Sequence, residues 1–264
     1  MSLAKPSGFV TDLTTVARRA LRSLLREPEA LIPALTIPMF FYAVNIGALQ
    51  DVAEGFGAEL GDPDFDFKAF QLPVAIIFAV TGVSRANVVV TDIQTGYLDK
   101  LLVTPVRRAA LLLGMMVADF VLVFGLSLLV SIVGFIVGVR FESGPLGLLA
   151  FLVMSSAWGL AFTGFPYTVA LRTGNPAAVN SSFLIFFPFA FLTSSFLPAE
   201  ALTSWLRAIA VWNPVTYLLD GLRSLITEGW VAEDLLRAMA AIGLIGSVTF
   251  TMAFRSLGRR VSTG

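Results

Sequence analysis

Arg85 and Asp119 lie inside long apolar runs and are the strongest candidates for buried ionisable groups in this sequence. A charged side chain in hydrocarbon is costly, and it usually faces a partner or a cavity. Arg85 lies about 10 Å before the inner end of its run at a rise of about 1.5 Å per residue. Asp119 lies a similar distance into the next run, so the two could form a structural or gating pair. The alternatives are that Arg85 extends to the membrane surface or that these groups contact a substrate.

The sequence lacks the residue types that most catalytic sites require. It contains no His and no Cys, which excludes thiolate chemistry and the usual zinc and haem ligands. It has no GxxxxGKS or GxxxxGKT motif to hold nucleotide phosphates, and no catalytic triad or metal cluster can be recognised. We therefore predict that the chain is not an enzyme and binds no cofactor itself. An intramembrane hydrolase is disfavoured because it would need Ser or Asp chemistry within the bilayer.

The composition is that of a membrane protein. Hydrophobic residues make up 56% of the chain, the mean hydropathy is +0.83, and charged residues make up 14%, against about a quarter in soluble domains. Several apolar runs reach the ~20 residues that cross ~30 Å of hydrocarbon. We predict an all-α integral membrane protein, with an N-terminal tail and interfacial amphipathic helix over residues 1–28 and a transmembrane domain over residues 29–264. Its six spans are expected at about 30–49, 70–90, 111–139, 146–171, 178–196 and 235–254.

The distribution of Lys and Arg orients these spans. With the N-terminus inside, twelve of the 18 basic residues fall in inner segments, five in outer segments and one, Arg85, within a span. The positive-inside rule therefore predicts that both termini are cytoplasmic. No small-residue cleavage site follows the first apolar run, so no signal peptide is expected. A net charge of zero gives no reason to expect a nucleic-acid partner.

The polar segment after the second span, TDIQTGYLDKLLVTPVRRAALLLG, begins at Thr91. It predicts a short helix along the inner membrane surface, stopped by Thr104-Pro105, with basic residues at the lipid head groups. The alternative is a plain inner loop held by its basic residues. The apolar face of the predicted helix consists of Tyr97, Leu98, Leu101 and Leu102.

The outer segment 197–230 holds three of the four Trp residues, which are typical of the membrane–water boundary. Asn213-Pro214 separates two apolar stretches that are each too short to span. They predict two helices that dip into the outer leaflet and return, and such backbone must be buried in protein or line a cavity. The alternative is an extracellular cap without a role in transport.

These two segments resemble those of type-2 ABC exporter permeases, and the daunorubicin-resistance type of drug-efflux permease is the most similar subgroup. The loop beginning at Thr91, and the run Asn-Pro-Val-Thr-Tyr followed by Asp-Gly-Leu-Arg from Asn213 to Arg223, carry the resemblance. Thr203-Ser204 departs from it, because many relatives carry Pro-Gly there. The resemblance implies a permease that exports a hydrophobic or amphipathic compound, such as a drug or lipid, across the bacterial cytoplasmic membrane. Membrane lipid would surround it.

The resemblance also implies partners. Two permease subunits, identical or homologous, would pair, and two separate ABC ATPase subunits, which hold ATP and Mg, would dock on the inner face. The loop would carry a coupling helix at about 96–103. The implied ATPase-coupling residues are Gly96, Tyr97, Leu98, Asp99, Lys100, Leu101, Leu102 and Arg107.

Two further sets of residues are candidates for the transport pathway. The candidate substrate-pathway residues are Arg85, Asp119, Phe78, Phe183, Phe186, Phe187 and Phe191. The candidate outer re-entrant gate consists of Trp205, Trp212, Asn213, Pro214, Tyr217 and Arg223. For any one Phe, packing or contact with lipid is the alternative. A polysaccharide or glycolipid exporter of the same family stays open as an alternative function. A secondary transporter would usually show inverted repeats, and the sequence shows no matching halves.

Overall fold

The structure, a computed structural model, describes residues 8–24, 28–59, 63–81, 83–102 and 108–263. These residues form twelve α-helices and two 3-10 turns, without a strand. The helices are α1 (Phe9–Leu24), α2 (Pro28–Glu59), α3 (Phe67–Thr81), α4 (Ala86–Gln94), α5 (Tyr97–Leu102), α6 (Arg108–Ile136), α7 (Gly144–Thr173), α8 (Pro176–Ser182), α9 (Phe186–Phe191), α10 (Ser204–Ala210), α11 (Pro214–Thr227) and α12 (Ala232–Thr263).

Five helical segments in the described residues are long and apolar enough to cross a membrane. The chain is therefore an all-helical, multi-pass membrane protein, as the composition predicts. The segment expected to cross at 178–196 forms the shorter apolar stretch Pro176–Phe191, so a sixth crossing stays a prediction. The five long segments are Ile32–Glu59, Phe67–Gln94, Ala109–Ile136, Gly144–Thr173 and Ala232–Arg260.

Two of these segments differ from the expected spans. α2 continues to Glu59 rather than ending near residue 49, because hydropathy marks where a chain can leave the membrane and not where its helix ends. The second span is interrupted, since α3 ends at Thr81 and α4 begins at Ala86.

The centre of the bundle is α7, which packs against α3, α4, α6, α11 and α12. Its contact with α12 is close, since a Cβ at Gly164 would lie 2.6 Å from the main-chain carbon of Thr249. The part of α7 on the predicted outer side, including Phe151 and Trp158, belongs to a core shared with α3 and α11, which we call the outer core. The part on the predicted inner side, including Tyr167, belongs to a second core shared with α4, α5 and α12, which we call the inner core.

Candidate functional site

The short helix α5 is anchored by Leu98 at the end of the bundle that is predicted to be cytoplasmic. Gly96 has φ 67, a left-handed conformation that favours glycine, and it turns the chain from α4 into α5. Leu98 is only 4% exposed and belongs to the inner core, whereas Tyr97 and Lys100 are exposed. The side chains of α5 therefore divide between one that holds the helix in place and others that face outward.

Arg19 connects α1 to this helix. Its Nη2 lies 3.3 Å from Oδ1 of Asp92 on α4, and its guanidinium carbon lies 4.4 Å from the centre of the Tyr97 ring. α1 itself packs on α6, where a Cβ at Gly114 would lie 2.7 Å from Cβ of Val16. The helices α1, α4 and α5 thus form one continuous surface, which we call the inner surface.

Two more hydrogen bonds hold α4 to its neighbours at this end. The Asn87 side-chain amide donates to Oδ1 of Asn180 on α8 at 2.8 Å. Nε2 of Gln94 donates to the carbonyl of Gly174, which follows α7, at 3.1 Å. α4 is therefore attached to α1, α7 and α8 by polar contacts as well as by the inner core.

The structure locates most of the predicted coupling residues on the inner surface. Gly96, Tyr97, Leu98 and Lys100 lie as described above, and Leu101 is half-buried. The side chains of Asp99 and Leu102, and the whole of Arg107, lie outside the described residues.

A hydrogen bond joins Arg85 to Asp119, as the sequence suggested for these two residues. Its donor is the backbone N–H of Arg85, which the sequence could not indicate. The backbone N–H of Arg85 donates to Oδ1 of Asp119 at 3.0 Å, and the Tyr167 hydroxyl donates to Oδ2 at 2.7 Å. Arg85 is 5% exposed and Asp119 is fully buried, so Arg85 does not reach the surface as the alternative interpretation required. Tyr167 lies within an apolar run, and no feature of the sequence marks it as a partner of Asp119.

Most of the predicted pathway phenylalanines form one aromatic cluster. The Phe78 ring lies 5.7 Å from Phe186, 6.4 Å from Phe187 and 5.8 Å from Phe191, between ring centres. Phe41 of α2 extends the cluster at 6.5 Å from Phe78. Phe183 instead packs against the outer core. Phe187 and Phe191 are both 42% exposed, so the cluster forms an aromatic surface between α3 and α9.

Arg223 is the best-connected of the predicted outer gate residues. Its Nη2 donates to the Ser194 carbonyl at 2.7 Å and its Nη1 donates to the Ser194 hydroxyl at 3.1 Å. Its Nε donates to the carbonyl of Phe70 at 3.2 Å, and its guanidinium lies 3.5 Å from the centre of that ring. Arg223 thus joins α11 to α3 and to the segment that follows α9.

Asn213 and Tyr217 fix the turn between α10 and α11. The Asn213 side chain accepts the N–H of Val215 at 3.0 Å as the α11 N-cap, and it donates to the carbonyls of Phe189 and Leu192 at 2.6 and 2.8 Å. Pro214 occupies the first helical turn, where proline is favoured. Tyr217 donates to the carbonyl of Val211 at 2.6 Å. The turn is therefore tied both to itself and to the end of α9.

Trp205 and Trp212 face outward, with exposed fractions of 61% and 87%. Between this region and α3 lies an open cavity of about 790 Å³, which Arg223 and Phe70 line. Seven of its lining side chains are carboxylates and two are arginines, so the cavity is acidic. Among the predicted outer gate residues, Arg223 lines this cavity, whereas Trp205 and Trp212 lie on the exposed surface.

Comparisons with known proteins identify the family of the chain. The family model described as ABC-2 type transporter matches residues 11–227. The chain is 24% identical over 233 residues to the daunorubicin resistance ABC transporter permease protein DrrB1 of Streptomyces coeruleorubidus, covering 86% of this chain and 79% of that protein. It is 22% identical over 251 residues to the probable doxorubicin resistance ABC transporter permease protein DrrC of Mycobacterium tuberculosis, covering 94% and 89% respectively. With the family model matching most of its length, the chain belongs to the ABC-2 type transporter family.

Proposed function

We propose that the chain is the transmembrane permease subunit of an ATP-driven exporter that moves a hydrophobic or amphipathic compound, a drug or a lipid, out across the bacterial cytoplasmic membrane. The match of the family model to residues 11–227 carries the proposal, and the names of the drug-resistance relatives support the substrate class. ATP and Mg bind to a separate ATPase subunit in two copies, and a second permease subunit completes the transporter. Both termini lie in the cytoplasm.

In this proposal the ATPase docks on the inner surface. Leu98 holds α5 in the inner core, so a force applied to Tyr97 or Lys100 acts on the bundle and does not simply displace a loop. Arg19 links α1 to the same place through Asp92 and the Tyr97 ring. An ATPase that contacts α1 and α5 together therefore acts on one connected surface.

The compound would pass along the aromatic surface around Phe78. Aromatic and apolar side chains bind hydrophobic compounds without requiring a fixed hydrogen-bonding pattern. The exposed faces of Phe187 and Phe191 make the cluster accessible from the side of the bundle. The acidic cavity that includes Arg223 in its lining would be the place where the compound leaves the protein on the outer side.

Co-purification tests the proposal directly. The tagged chain, co-expressed with candidate ATPase subunits, should elute from membranes with a stoichiometric soluble ATPase that hydrolyses ATP. The double variant Tyr97→Ala, Lys100→Glu should reduce the recovered ATPase by about tenfold or more, since loss of a central aromatic contact costs about 2 kcal/mol at an interface. Membrane vesicles that hold the intact complex should transport daunorubicin only when ATP is supplied.

The matched control is Arg207→Glu, which alters an exposed residue of α10 in the predicted outer segment. This variant should retain the ATPase at the wild-type level. A wild-type chain that elutes alone and transports nothing with ATP would refute the proposal and turn attention to ion-coupled transport. Equal retention of the ATPase by the Tyr97, Lys100 variant and the wild type would refute the docking surface alone.

A further inference from the structure

The break in the second membrane segment has a separate attachment on each side. Thr81, the last residue of α3, accepts the indole N–H of Trp158 on α7 at 3.0 Å. Just before α4, the backbone N–H of Arg85 donates to Asp119 on α6 at 3.0 Å. Thr81 and Asp119 are both buried. The half of the segment that leads to α5 is therefore held independently of α3.

Asp119 caps α4 from a neighbouring helix. The first N–H groups of a helix lack partners within it, and a negative charge near them is favourable. Here the carboxylate accepts the N–H of Arg85, the N-cap residue of α4, and the Ser84 hydroxyl oxygen accepts that of Ala86 at 3.1 Å. The Tyr167 hydroxyl fixes the other carboxylate oxygen. Three helices, α4, α6 and α7, thus meet on one side chain.

α4 and α5 are joined by continuous hydrogen bonds. The N–H of Thr95 donates to Thr91, that of Gly96 donates to Ile93, and that of Lys100 donates to Gly96, at 3.0, 3.1 and 3.2 Å respectively. A displacement of α5 therefore moves α4 with it. At the other end of α4, Asp119 joins the start of that helix to α6 and α7 by hydrogen bonds, in addition to the contacts of Asn87, Gln94 and the shared core.

We propose that Asp119 is the positioning residue that transmits movement of α5 to α6 and α7, as the anchored point about which the α4–α5 unit turns. The inference rests on the proposed function, in which an ATPase moves α5. Without the Asp119 carboxylate, movement of α5 is absorbed at the break between Thr81 and Ala86. ATP is then hydrolysed without a matching amount of transport.

The chemistry of the bond distinguishes this role from a simple ion pair between side chains. Because a backbone N–H of Arg85 is the donor, exchanging the two side chains does not restore the bond. An Arg at position 119 has no acceptor atom. The exchanged variant Arg85→Asp, Asp119→Arg should therefore transport as poorly as Asp119→Ala, and recovery of transport in the exchanged variant would overturn the proposal.

The test measures daunorubicin transported per ATP hydrolysed by the permease–ATPase complex in proteoliposomes. Asp119→Ala should lower this ratio by about tenfold, the effect expected when a hydrogen bond to a charged acceptor is lost. Asp119→Asn keeps an acceptor oxygen toward Arg85 and should stay within about threefold of the wild type. The control is Thr168→Val, which removes a buried hydroxyl bonded to Gly164 within α7. Its ratio should match the wild type even if its melting temperature falls.

The outcomes separate transmission from mere stability. A wild-type ratio for Asp119→Ala, or an equal loss for Thr168→Val, overturns the proposal. If Asp119→Ala does not fold, Tyr167→Phe decides, because it removes the donor to Oδ2 and keeps the ring, and an unchanged ratio in that variant overturns the proposal. Failure of the proposed function is distinguishable, since the wild-type complex would then already lack ATP-driven transport.

Discussion

Replacing Arg223 with Met should destabilise the outer part of the protein. Arg223 is 8% exposed, and its guanidinium donates to the carbonyls of Phe70 and Ser194 and to the Ser194 hydroxyl. Met fills a similar volume but donates no hydrogen bond. The substitution therefore removes the polar connection between α11, α3 and the segment after α9 while largely preserving packing.

The size of the effect follows from these contacts. Hydrogen bonds that involve a charged group contribute about 1.5–3 kcal/mol each, and a desolvated cation over an aromatic ring contributes about 2 kcal/mol. Met offsets part of this loss because it avoids the desolvation cost of the buried charge. We expect a net loss of about 3–5 kcal/mol, a large fraction of the ~5–15 kcal/mol that stabilises a typical protein. At about 2–4 °C per kcal/mol for a chain of this size, the melting temperature should fall by about 10 °C.

The assay is thermal melting in detergent, followed by fluorescence-detected size exclusion. Arg223→Lys should fall between the wild type and Arg223→Met, because Lys keeps the charge but lacks the planar fork that reaches both partners. Arg207→Met, at an exposed position of α10, should melt like the wild type. If Arg223→Met melts within about 2 °C of the wild type, the guanidinium contacts do not hold this part of the protein together and the reasoning is wrong.

Two more substitutions test how other segments are attached. Gly114→Leu should separate α1 from α6 and lower the amount of ATPase recovered, because a Cβ there would lie 2.7 Å from Cβ of Val16. The control is Gly125→Leu on the same helix, where a Cβ would have nothing within 4 Å. Equal recovery of the ATPase by the two variants would contradict the prediction. Asn213→Asp should lower stability by about 1–3 kcal/mol in thermal melts, because it keeps the helix cap but cannot donate to two carbonyls. Wild-type melting of Asn213→Asp would refute this.

The apolar segments and the short helices could be predicted from the sequence because their signals are local. The short helix expected at about 96–103 forms over Tyr97–Leu102, since a glycine before it and Thr104-Pro105 after it in the sequence bound a short apolar face. Its coupling role stays a prediction. Asn213-Pro214 likewise marked the start of α11, which begins at Pro214. Residue type alone is sufficient for such features.

The contacts of the buried groups could not be predicted in the same way. The sequence predicted a pair between Arg85 and Asp119 because both side chains are ionisable. The hydrogen bond between them instead uses the backbone N–H of Arg85, and since every residue except proline carries this group, residue type does not indicate the bond. Tyr167 gave no signal because a tyrosine within an apolar run is usually a packing residue. The link between Arg19 and Asp92 joins residues far apart in the chain, and sequence spacing contains no information about such a pair.

The central helix α7 contains a proline between its contacts to the two sides of the break in the second segment. Pro166 lies within α7, where it lacks the N–H that would continue the helical ladder. Trp158, which holds the end of α3, and Tyr167, which fixes Asp119 at the start of α4, lie on opposite sides of this proline. Trp158 belongs to the outer core and Tyr167 to the inner core. The proline removes one backbone hydrogen bond from α7 without ending the helix, and it lies between the residue that packs in the outer core and the residue that packs in the inner core.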